Sequence, residues 1–173
     1  MKKTLIAILL AVALTVIPVG SALAATSQNV TVTATPTFIS ITNSQGNFPF
    51  GVVTASGTPN TGTGWSTITN DSTVAIDINI QCNGWSGAGN SWTYGSPIGA
   101  DTGYLAASST FGGTGGSGGA GAYDVDILIA STDYLLCDDL AVDDDPDWEL
   151  ELNAPSSFTF GDQQTTTVTL TAS

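Results

Sequence analysis

The chain has almost no cationic side chains. Among 173 residues there are 2 Lys+Arg, no His and 15 Asp+Glu. Both cations are at the extreme start, Lys2 and Lys3. From Thr4 onward the side-chain charge is 0 − 15 = −15. That stretch can form no side-chain salt bridge. It has no His to activate a Ser or Cys nucleophile, no Lys for a Schiff base and no basic clamp for phosphate. Nucleic-acid binding is excluded on the same ground, since phosphate neutralisation needs Lys or Arg. Charged residues make up 10% of the chain, against about 25% in ordinary soluble domains. Polarity comes instead from Thr, Ser, Asn and Gly. Helical periodicity is also missing after residue 25, and cysteine is limited to Cys82 and Cys137.

The two lysines have a separate explanation. Lys2-Lys3 followed by the apolar run Thr4 to Val19 and then Ala22-Leu23-Ala24 has the three parts of a secretory signal. Residues 1–24 are read as a cleaved signal peptide, with the cut after Ala24 or Ala25. The apolar run falls short of the ~20 residues that span a bilayer comfortably, and no second such run follows. The expected mature chain is extracellular and without a membrane span. Residues 25–173 suffice for one domain. In an exported chain with two cysteines, a Cys82–Cys137 disulfide is the simplest expectation.

Alternation with period two recurs along the chain and predicts strands. In Gln28 to Thr35, Val30, Val32 and Ala34 face one way and Thr31, Thr33 and Thr35 the other. Phe38 to Thr42 is a second strand. Phe48 to Val53 is irregular or an edge, because Pro49 cannot donate to a ladder. Thr73 to Cys82 is the clearest, with Val74, Ile76, Ile78, Ile80 and Cys82 on its core side. Tyr123 to Ile129, Tyr134 to Cys137, Trp148 to Leu152 and Thr165 to Thr171 follow, with Glu149 and Glu151 expected outside. Gly112 to Gly121 reads as a flexible loop within the domain. The expected fold is an all-β, antiparallel β-sandwich, Ig-like or jelly-roll, with eight or nine short strands.

Three groups of residues are candidates for function. The acidic run holds Asp138, Asp139, Asp143, Asp145 and Asp147. Carboxylates crowded without a cation repel, and Ca²⁺, which takes six to eight oxygens, would relieve them. Asp143, Asp145 and Asp147 have the first spacings of an EF-hand, but Trp148 and Ala154 stand where that loop needs Gly and Glu. A solvated acidic loop is the simpler reading. Trp85, Trp92 and Tyr94 lie in a Gly/Ser/Asn-rich stretch and either cap the core or stack on sugar rings. Asn29-Val30-Thr31 and Asn70-Asp71-Ser72 are glycosylation tripeptides. The third group is the terminal Thr-rich strands, which pair in their own sheet or are donated to a neighbour's edge. Paired carboxylates that could act as glycosidase acid and base are not discernible, and no enzyme activity is expected.

The segments VTVTATPTFISIT, FPFGVV, TITNDSTVAIDINI and WELELNAPSSFTFGDQQTTTVTLTAS, behind an export signal, resemble secreted prokaryotic surface proteins. These include camelysin-like and biofilm-fibre subunits and the WxL-type cell-surface families. Trp148-Glu149-Leu150 matches one WxL tripeptide. Those families carry a second nearer the C-terminus, and this chain has none, so the resemblance does not extend to wall anchoring. It implies a structural or adhesive role at the cell surface, with no catalytic residue to carry over. The expected partners are copies of the chain itself or other surface proteins. The alternative expectation is a glycan-binding adhesin, with Ca²⁺ as its candidate cofactor.

Overall fold

The computed structural model describes residues 31, 33–111 and 123–173. The expected signal peptide, half of the Gln28–Thr35 strand, Asn29 and Val30 of the first tripeptide and the glycine-rich loop lie outside the described residues. Pro36–Ser173 forms one compact unit, separate from Met1–Thr35. Within it the described residues are all-β and hold no helix. None is therefore long and apolar enough to cross a membrane.

Nine strands are present: β1 Ile41–Asn43, β2 Ser66–Asn70, β3 Ile76–Cys82, β4 Thr93–Tyr94, β5 Thr102–Ser109, β6 Val125–Ile127, β7 Tyr134–Leu140, β8 Asp147–Asn153 and β9 Val168–Ala172. They form two sheets. The larger has the order β1-β2-β8-β5-β4, with β6 also on β5; the smaller has the order β7-β3-β9. All pairings are antiparallel except β4 with β5. The inner faces share one apolar core, which includes Ile68, Ile78, Ile80, Leu105, Leu136 and Leu150.

The alternating pattern of β3 is realised, with Ile76, Ile78, Ile80 and Cys82 all buried. Val74 is not: it lies ahead of the strand and is 36% exposed. Ile129 likewise lies past the end of β6 and is 61% exposed rather than inside. In β7, Leu136 and Cys137 are buried in succession, because register shifts against β3 break the alternation.

Glu149 corrects the sequence reading of β8. It was expected outside but is 1% exposed. Its neighbours on β5, Ser108 and Ser109, are buried too, so both faces are covered here. Tyr123 hydrogen-bonds to the Glu149 carboxylate, and its own hydroxyl is pushed up to about 12, first by burial and then by Glu149 and Glu151. The longest strand, β5, is not among the sequence-predicted strands. Its Leu-Ala-Ala-Ser-Ser run has no period-two contrast, since small side chains fill both faces.

Candidate functional site

The strand directions give the molecule two ends. β3 runs from Ile76, level with Leu140, to Cys82, level with Val168. The first end carries the chain entry at Phe38, the turn before β3 and the β7–β8 connection. Backbone bonds tie these together: Thr73 N–H donates to Phe38 O at 2.9 Å, and Asp143 N–H to Asn70 O at 3.0 Å. The second end carries Trp85 and the β6–β7 turn, where Ser131 N–H donates to Cys82 O at 2.7 Å.

Among the described residues the smaller sheet has half as many strands as the larger. β9 is its edge, with β3 on one side only. Beside β9 lies a cleft of about 1060 Å³. Trp148, Leu150 and Leu152 of β8 and Ile41 of β1 line one wall. Val168 and Leu170 of β9 line the other, both only half-buried. The segments around Phe48-Pro49-Phe50 and Phe158–Thr167 complete the lining. Phe48 packs on Trp148 with ring centroids 4.6 Å apart. The Trp148 indole N–H donates to Asn43 Oδ1 at 2.9 Å, which fixes the ring in the wall. Among the lining residues, Asp162 alone is ionisable. The cleft therefore offers apolar area and open strand edge rather than acid–base chemistry.

Trp85, Trp92 and Tyr94 are brought together at the second end. Trp85 is 8% exposed and stacks on Tyr94 at 5.3 Å. It meets Trp92 edge-on at 5.4 Å, and Trp92 stacks on Phe158 at 5.4 Å. The rings thus pack on one another as a cap on the core, with Trp85, Trp92 and Phe158 also bordering the cleft. The indole N–H groups of Trp85 and Trp92 are buried without an acceptor. Phe48, Phe50, Phe158 and Phe160 were not singled out from the sequence. Their signal is the Phe-x-Phe pair beside a Pro or Gly, apolar yet unsuited to a regular strand.

The acidic residues are not brought together. Asp138 and Asp139 lie on β7, Asp143 and Asp145 in the exposed connection, and Asp147 starts β8. Asp139 N–H donates to Asp77 Oδ1 at 2.9 Å, and Asp147 Oδ1 accepts from Thr67 Oγ1 at 3.0 Å. Among the described residues no three Asp, Glu or Cys converge as a metal-binding group. The candidate Ca²⁺ ligands therefore form no such cluster among the described residues, in line with the simpler reading of a solvated acidic loop.

The expected disulfide is not formed either, and both thiols are free and buried. Cys137 pairs with Ile78, four residues along β3 from Cys82. That is about 13 Å at the rise of a strand, well beyond the ~7 Å Cα limit of a bridge. Cys82 instead lies against Tyr94, and burial pushes its thiol up to about 11. Cys137 is 3.4 Å from Ser109 Oγ, and burial raises it as well.

Asn70 carries no glycan-accessible amide. It is fully buried, and its Nδ2 donates to the carbonyls of Val74, Leu140 and Ala141 at 3.1, 2.8 and 3.0 Å. No protein-family model, curated protein or solved structure matches the chain.

Proposed function

We propose that the chain is a secreted structural protein, the subunit of an extracellular filament or coat assembled by strand pairing. In this reading the fold is a β-sandwich one strand short, and residues 26–35 of one copy complete the smaller sheet of the next. The observation that carries it is the apolar cleft beside the unpaired edge of β9. A strand added there would extend β7-β3-β9 beside the half-buried Val168 and Leu170. Residues 28–35 have the pattern for it, with Val30, Val32 and Ala34 on one face and threonines on the other. Thr33, Ala34 and Thr35 are exposed and belong to none of the strands. Repetition from copy to copy gives an open array.

The export signal and the lack of basic residues after Lys3 agree with an extracellular structural role. The glycan-binding alternative has less support, because Trp85 is buried and packs on Trp92 and Tyr94.

Two preparations test the proposal, residues 25–173 and residues 36–173. Negative-stain microscopy and light scattering should find polymers in the first and monomers in the second. A synthetic peptide of residues 26–35 should bind the shorter chain and raise its melting temperature. Monomers in both preparations, with no peptide binding, would sink the reading.

A further inference from the structure

Exposed apolar side chains gather at the end where the chain enters. Phe38 is 58% exposed, Ile39 47%, Val142 41% and Val74 36%. The backbone bonds at Phe38, Asn70 and Asp143 place the three short segments bearing them side by side. The opposite end has one large exposed aliphatic side chain in the β6–β7 turn, Ile129, at 61%. We infer that the Phe38/Ile39/Val74/Val142 face seats on the Ile129 end of a second copy, forming a repeating end-to-end contact.

The inference rests on the strand-donation reading and deepens it. Phe38 follows Ala34 by four residues, so the two are at most about 14 Å apart even when fully extended. If Ala34 lies in a neighbour's cleft, the apolar face of the donor must sit at the mouth of that cleft. The direction of pairing decides which mouth. β9 runs from the Trp85 end toward the chain-entry end. An antiparallel donor runs the other way, so its last residues emerge at the Trp85 end, where the β6–β7 turn and Ile129 lie. A parallel donor would emerge at the chain-entry end and set two identical faces together, which closes a two-fold dimer. Of the seven strand pairings among the described residues only β4 with β5 is parallel; antiparallel addition continues the pattern of the smaller sheet, where both pairings are antiparallel. The contact is then heterologous and does not close on itself.

Single-cysteine reporters separate the two geometries. Phe38→Cys, Ile129→Cys and the double variant are made in residues 25–173 and treated with a short bismaleimide. Both positions are exposed, so neither change disturbs the core. The double variant should give a ladder of covalent dimers, trimers and longer species, and each single variant no more than the unmodified chain. Dimers from Phe38→Cys alone would overturn the inference in favour of a closed pair. The absence of any cross-link would overturn it too, provided the peptide of residues 26–35 still binds the 36–173 chain. Failure of that peptide to bind counts instead against strand donation, so the two failures are distinguishable.

Discussion

A single buried amide ties the chain-entry end together. Asn70 Nδ2 donates to three carbonyls, and its Oδ1 accepts from Ser72 N–H at 2.9 Å. It therefore ties the end of β2 to the residues before β3 and to the end of β7. Asn70→Ala would leave three buried or half-buried carbonyls and one N–H without their partner, at a cost of about 3 kcal/mol. Urea unfolding should show it as a lower midpoint with an unchanged slope. Asn70→Asp should be worse, because a carboxylate would face the carbonyls. The thiols give a second expectation at this scale. Cys82 and Cys137 are buried and reluctant to ionise, so a thiol reagent at neutral pH should leave the native chain unmodified and label two groups after denaturation. No labelling after denaturation would mean that the bridge exists.

The central strands of the larger sheet are β8 and β5, and their contact at the second end is close. A Cβ on Gly103 would lie 2.5 Å from the Asn153 carbonyl oxygen and 3.0 Å from the Pro155 ring. Gly103→Ala should therefore cost about 2 kcal/mol through displacement of β8, measurable as a fall in melting temperature. β3 and β8 were legible because Ile or Leu alternates with polar residues over enough positions to fix a face. β5 was not, since Ala106, Ala107, Ser108 and Ser109 are all buried and contrast vanishes when both faces are covered. β2 is short, with Ser and Asn at its buried positions, and polar residues hide a strand whose hydrogen bonds are satisfied internally. The cleft was still less legible. Its walls come from segments far apart in the chain, and only the strand order reveals that β9 is an edge. The cysteines erred for a related reason: inward pointing was read for Cys82, but its register relative to Cys137 was not in the sequence.

Across the whole molecule every charged side chain after Lys3 is acidic, so copies of the chain can only repel electrostatically. Asp71, Asp143 and Asp144 stand around the apolar entry face itself. Assembly should therefore strengthen with salt, as screening shortens from about 10 Å at 0.1 M to about 3 Å at 1 M. Light scattering should find a lower critical concentration at 1 M NaCl; an interface built on ion pairs would behave oppositely. Acid should act in the same direction on the fold. Partial burial, then Asp126, raises Glu151, and desolvation with the adjacent Asp77 carboxylate raises Asp138. A carboxyl whose folded pKa lies above its unfolded value opposes folding above that pKa and ceases to do so below about pH 4. The denaturation midpoint should thus rise as pH falls from 7 toward about 4. The cleft beside β9 has a thermodynamic counterpart on the strand-donation proposal. If residues 26–35 of a second copy occupy that cleft, part of the hydrophobic stabilisation belongs to the pair of molecules rather than to either one. On the same proposal, polymerisation would be the last step of folding, and a growing end would be at once the least folded and the most adhesive molecule in the array.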